Sequence, residues 1–219
     1  MCSTAVIPTA ELALRLGAVT SLLFEILIHY RNDFLGIGGR LGMTAFLATS
    51  IVAAQTGVST GFKVSSITLS TLKKSTIIPM ALWHATGSVA TIVLREASDD
   101  NAAADLVRAS AVVGLAGALL LKDKAAALAL YGGSFVGMSL PSRLMHGIMP
   151  GKGVPRPVTV LSILTAFALS GALGGIVHGA TINWKMWPGG WGGKAGTCAF
   201  IGCLFFRLLS KIIATIRGK

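Results

Sequence analysis

Gly38-Gly39-Arg40-Leu41-Gly42-Met43-Thr44-Ala45-Phe46 returns 154 residues later as Gly192-Gly193-Lys194-Ala195-Gly196-Thr197-Cys198-Ala199-Phe200. Each copy follows an apolar run of about 20 residues and opens another, to about Ala54 and about Leu209. The repeated unit is therefore a helix, a glycine turn and a second helix, spanning about 9–56 and about 158–209. Internal repeats in an apolar chain are a recurring construction of membrane transporters, whose sites lie between the repeats.

Apolar side chains make up 53% of the 219 residues, and 12% are charged. Soluble domains carry about 25% charged residues, and the mean hydropathy here is +0.74. So few charges cannot clothe a globule in water, so the sequence predicts lipid as the solvent for much of the surface. Seven apolar segments, near 9–30, 39–56, 76–95, 107–121, 125–140, 158–180 and 194–216, are candidates to enter a bilayer, where a full helical span takes about 20 residues. The fourth and fifth are short and separated only by Lys122-Asp123-Lys124, which leaves a re-entrant hairpin open. No segment shows the ten-residue alternation of a barrel strand. The expected fold is all-α: one integral membrane domain over 1–219, with about seven transmembrane or re-entrant helices and an internal hairpin repeat. Three candidate spans lie between the two hairpins, and an odd number inverts the second relative to the first. A fainter third echo, Ser134-Phe135-Val136-Gly137, shares the small-Phe-aliphatic-small pattern of Ala45-Phe46-Leu47-Ala48 and Ala199-Phe200-Ile201-Gly202.

The start of the chain shows no basic leader region, because the first positive charge is Arg15, after Glu11. Cys2, Cys198 and Cys203 give no CxxC pair and imply no disulfide framework. The nineteen Lys and Arg against eight Asp and Glu are scattered through the loops. They read as helix-end anchors meeting anionic headgroups, with no nucleic acid partner. With seven crossings, eleven of these cations fall on the C-terminal side and seven on the other. That bias places the C-terminus on the cytoplasmic, matrix or stromal side. The expected setting is a plasma, inner or organellar membrane. The stretches 57–75, 96–106 and 141–157 are polar, the first suited to a helix lying in the interface and the last broken by prolines and glycines.

Arg40 and Lys194 stand at the same place in the two phrases, each after a glycine pair at a predicted helix start. Free backbone N–H groups, the positive helix end and a cation together suit an anion, and Gly38, Gly39, Gly192 and Gly193 would let backbone approach it. The competing reading is interfacial anchoring with glycines that merely turn. Glu25 and His29, four residues apart, share a face of the first helix, and with His84 and His178 they are the candidates for proton coupling. His84 and His178 are also the donors that a haem or a chlorophyll would use; no CxxCH motif is present, and lone membrane histidines more often bond a neighbouring helix. Trp184, Trp187 and Trp191 read as an aromatic belt. No phosphate loop, zinc-protease or GxSxG signature occurs, and no metal site is evident, which points away from an enzyme. The leading expectation is a small transporter or channel for a small anionic solute. The alternative is an accessory or assembly subunit of a larger, energy-transducing membrane complex, with other membrane subunits or a second copy as partners.

Overall fold

The computed structural model describes residues 9–29, 34–56, 74–97, 102–145, 159–182 and 190–216. Helices are the only regular elements among them: α1 (Thr9–His29), α2 (Arg40–Thr56), α3 (Lys74–Glu96), α4 (Ala102–Leu120), α5 (Lys124–Gly137), α6 (Pro141–Leu144), α7 (Val160–Ala180) and α8 (Gly190–Ile216). Lys74–Glu96, Val160–Ala180 and Gly193–Ile216 are long and apolar enough to cross a membrane, and Leu106–Leu120 is a shorter apolar stretch. The interfacial helix expected in 57–75 lies outside the described residues up to 73, as do 146–158 of the proline-rich loop and Trp184 and Trp187 of the aromatic belt.

The side chains are distributed for an apolar solvent. On α3, Met80, His84, Gly87, Ser88, Thr91, Ile92 and Arg95 are buried, whereas Ile78, Leu82, Val93 and Leu94 are exposed. His84, Ser88, Thr91 and Arg95 follow one another at helical spacing, so a polar stripe runs inward and the aliphatic face outward. The same inversion marks α7, where Ser170, Gly171, Gly174, Gly175, His178 and Gly179 are buried while Val160, Leu161, Leu169 and Ile176 are exposed.

Small residues set how closely the helices approach. A Cβ on Gly171, Gly175 or Gly179 would stand 2.7 Å from the His84 carbonyl oxygen, 2.4 Å from that of Met80 and 2.9 Å from the Ile77 Cα. Their steady opposite progression shows α3 and α7 running antiparallel with backbones in contact, as small-xxx-small helix pairs do. Ser88 Oγ adds a 2.9 Å bond across this seam to the Phe167 carbonyl. α5 wedges against the other side of α3: Gly133 is pressed on the His84 carbonyl oxygen and Gly87 on that of Leu130.

The short segments 107–121 and 125–140 form one antiparallel hairpin, α4 and α5. Ser110 Oγ meets Ser134 Oγ at 2.8 Å, Gly114 faces Tyr131 and Gly117 faces Leu130. Its tip is capped by Asp123, whose carboxylate accepts from the Ala125 N–H at 3.0 Å. At the far end of the bundle Ile92, Val136, Leu144, Phe167, Phe200, Cys203 and Phe206 form an apolar cluster.

The two copies of the phrase are not locally alike. Gly38 and Gly39 make a turn in front of α2, with Gly39 at φ +79°, a conformation that favours glycine. Gly192 and Gly193 instead lie inside α8, which begins at Gly190. The helix therefore starts about one turn before the position expected from the sequence, and Lys194 is not its first residue.

Candidate functional site

Two imidazoles are buried between the helices, His84 midway along α3 and His178 in the last turn of α7. His84 is fully buried and His178 is 1% exposed. His84 Nε2 and His178 Nδ1 are 2.9 Å apart, with the rings edge to face at a centroid distance of 5.1 Å. The antiparallel α3–α7 seam brings them together from 94 positions apart in the chain. Glycines hold the pocket tight: a Cβ on Gly132 would lie 2.5 Å from His84 Cε1, and one on Gly174 would lie 3.4 Å from His84 Nδ1. A larger residue at Gly132 would displace the ring.

His84 Nδ1 is buried with no hydrogen-bond partner among the described residues. That fact selects a tautomer. If His178 Nδ1 were the donor, neutral His84 would carry its remaining hydrogen on Nδ1, a buried donor with nothing to receive it. With His84 Nε2 as the donor, Nδ1 is a bare lone pair, a less costly orphan and an open acceptor for a proton.

Lys194 reaches the same region from α8. It is 7% exposed and its Nζ donates to the Thr181 carbonyl at 3.3 Å. Thr181 follows His178 by less than one turn, and its own hydroxyl bonds the Val177 carbonyl at 2.8 Å. The site is thus a pair of imidazoles with an ammonium beside them, drawn from α3, α7 and α8 and floored by the glycines of α5. Towards the other end the polar stripe continues through Ser88, Thr91 and Ser170. Thr91 Oγ1 and Ser170 Oγ are buried without a partner among the described residues.

The stripe ends at a second polar node. Arg95 donates from Nη1 to the Ser139 carbonyl at 2.9 Å and pairs with Glu96 at 2.6 Å. The Ser139 hydroxyl accepts from the Gly38 N–H at 2.8 Å and meets Cys203 Sγ at 3.6 Å. This node locks the first glycine turn to α3, α5 and α8.

The residues singled out in the sequence are distributed as follows. Arg40 sits at the start of α2 and donates from Nη1 to the Phe34 carbonyl at 3.3 Å. Gly38 and Gly39 approach protein backbone: a Cβ would lie 1.7 Å from the Phe135 carbonyl oxygen at Gly38 and 2.3 Å from that of Gly196 at Gly39. Arg40 and Lys194 flank the α2–α8 crossing on opposite sides, since Gly42 lies opposite Gly196 and Gly39 opposite Ala199 and Phe200. Glu25 is exposed on α1, which packs chiefly on α2; His29 closes α1, and its side chain lies outside the described residues. Of the four proton-coupling candidates, His84 and His178 are brought together. The spacing of Gly171, Gly175 and Gly179 marks α7 as a helix that a neighbour approaches closely, but does not say which neighbour. The roles of Thr91, Arg95 and Ser170 in the polar stripe were missed, although their spacing from His84 and Gly171 on α3 and α7 carried that signal; Ser139, just beyond α5, had no such spacing to reveal it.

Ligation of one haem iron by both histidines can be tested on this distance. Two nitrogens trans on one iron stand about 4 Å apart, from metal–nitrogen bonds of about 2 Å. The 2.9 Å contact joins the nitrogens directly, and Gly132 fills the ring's flank. No group of three or more metal-donor side chains forms among the described residues.

The fold and site define an all-helical bundle with membrane-length helices, an apolar exterior and a buried polar interior. No protein-family model matches the chain, and no curated protein or solved structure matches it.

Proposed function

We propose that the chain is a small membrane transporter or channel for a small anionic solute. Its seven apolar segments lie in the bilayer, and the hairpins 9–56 and 158–209 act as inverted repeats. His84 and His178 carry the coupling proton, and Lys194, with Arg40 on the far side of the α2–α8 crossing, attracts the anion.

The observation that carries this reading is the buried His84–His178 pair beside Lys194, with an open acceptor at His84 Nδ1. Ionisable groups at membrane depth are expensive, and they persist where they serve a pathway or a proton relay. A purely structural pair would close its remaining valences, as the Ser110–Ser134 pair does with the Tyr131 carbonyl. The antiparallel setting of α2 and α8 supports the inverted relation. The test is uptake of chloride, phosphate, nitrate and small carboxylates by liposomes holding the pure chain, with and without a pH gradient. Uptake of one anion that depends on His84 and on the gradient is the expected result. If no anion moves faster than in empty liposomes, the reading fails.

A second reading, an accessory subunit of a larger membrane complex, is favoured by a different feature. Ala111, Gly114, Leu115 and Ala118 of α4 and Ala127 and Tyr131 of α5 line an outward-facing apolar cavity of about 200 Å3, the sort of small-residue surface on which another membrane helix packs. Gentle extraction from the native membrane separates the two: stoichiometric co-migrating subunits support the complex, a lone chain the transporter.

A further inference from the structure

The Phe34–Gly39 turn gathers positive charge around it. Arg40 bonds the Phe34 carbonyl, and the Arg143 side chain packs at Gly36. Arg95 holds Ser139, which in turn binds the Gly38 N–H. Against the Phe34 side of this turn α8 presents Leu204, Arg207, Leu208 and Lys211, and these four with Phe34 line a half-open cavity of about 180 Å3. Leu204, Leu208 and Lys211 lie on one helical stripe with Arg207 beside it. The cavity has an apolar floor and a cationic rim, and no acidic residue lines it among the described residues. Arg207 is mostly buried, whereas Leu208 is 53% exposed, so the floor opens outward where the neighbouring medium is lipid.

We propose that this cavity is a binding site for an anionic membrane lipid. The headgroup phosphate sits between Arg207 and Lys211, and the first part of an acyl chain lies along Leu204, Leu208 and Phe34. Charge complementarity selects the headgroup, since basic pockets between membrane helices attract anionic lipids. The apolar floor selects a lipid over a free anion, because a soluble phosphate leaves Phe34, Leu204 and Leu208 uncovered. Five cations, Arg40, Arg95, Arg143, Arg207 and Lys211, stand around or against this turn with Glu96 as the acidic partner among the described residues. The site is independent of the transport reading and holds under either function.

The test uses the full chain in detergent. Native mass spectrometry and thermal unfolding are read with phosphatidylglycerol, with phosphatidylcholine of the same acyl chains, and with inorganic phosphate alone. Phosphatidylglycerol is expected to bind at least tenfold more tightly than phosphatidylcholine, and phosphate alone to leave the unfolding midpoint unchanged. Each cation near the surface contributes about fivefold to such binding. K211Q, an exposed change that leaves packing intact, should weaken it about that much, and R207Q/K211Q should abolish the preference. K122Q/K124Q, at the α4–α5 tip, keeps it. L208W keeps the charges but fills the floor, and should weaken phosphatidylglycerol binding as well. Equal binding of the two lipids, an unchanged preference in R207Q/K211Q, or stabilisation by phosphate equal to that by the lipid would each overturn the proposal.

Discussion

Gly42 and Gly196 hold the same place in the two copies of the repeated phrase, and they lie against each other where α2 crosses α8. A Cβ at Gly196 would stand 2.7 Å from the Gly42 Cα. Backbones this close leave no space for a side chain, and overpacking of a membrane helix contact costs about 1–3 kcal/mol. Gly196→Ala is therefore expected to lower the thermal unfolding midpoint of the pure chain, and Gly196→Leu to lower it further. Gly17→Ala is the comparison: no atom lies within 4 Å of a Cβ there, and alanine favours a helix by about 1 kcal/mol over glycine. Its midpoint should stay level or rise. Equal effects at both sites would show that the α2–α8 crossing is not a tight contact.

The His84–His178 bond makes a prediction about activity. His84→Gln and His178→Gln keep polar groups of similar size but cannot accept and pass on a proton. Each is expected to reduce gradient-driven anion uptake by about tenfold or more while expression and monodispersity stay near wild type. The double variant should be no worse than either single one, because both residues act on one shared proton. Independent losses that multiply would mean that the two histidines act separately.

How far the sequence could be read depended on what fixes each feature. Helix positions were legible because apolar length and period are local: α1, α2, α3 and α7 begin and end within two residues of the expected segments. The α8 start was misplaced because Gly192 and Gly193 resemble the true turn at Gly38 and Gly39. Glycine permits a turn, but it also fits inside a helix that neighbours hold in place. His84 and His178 were legible as buried ionisable groups. Their meeting was not, since it rests on the antiparallel register of α3 and α7, set by Gly171, Gly175 and Gly179 pressing on specific carbonyls. The exposed place of Glu25 was hidden for the same reason: four-residue spacing shows which face two residues share, but not which helix that face meets.

Ser139 ties three elements through one residue. Its hydroxyl accepts the Gly38 N–H and its carbonyl accepts Arg95. Ser139→Ala leaves the buried Gly38 N–H without its acceptor, a penalty of about 1–3 kcal/mol. Thermal unfolding should register that loss. Arg95→Gln removes a different bond at the same node, so the double variant should lose less than the two single losses added together. Strict additivity would show that Gly38 and Arg95 are not held by a common residue.

The last prediction concerns access to Cys198, which is fully buried on α8 one turn beyond Lys194. In the neutral state the two imidazoles share one N–H···N bond. A further proton on His84 Nδ1 places an imidazolium in the apolar interior, near Lys194 and with the glycines of α5 packed against it. Like charges in a low-dielectric medium repel strongly, so protonation should favour a looser state of the α3–α7–α8 interface. In a single-cysteine chain keeping only Cys198, labelling by a water-soluble maleimide should rise only as pH falls below about 6, on the acid side of the range in which a solvated imidazole titrates. The direction is informative because the thiolate fraction falls with pH, so a thiol of fixed accessibility would label more slowly. A chain keeping only Cys203, at the Ser139 node, should show no such rise, and His84→Gln should abolish it for Cys198. Labelling of Cys198 that slows with falling pH, as for a thiol of fixed accessibility, would sink the idea that the histidine pair opens the interface.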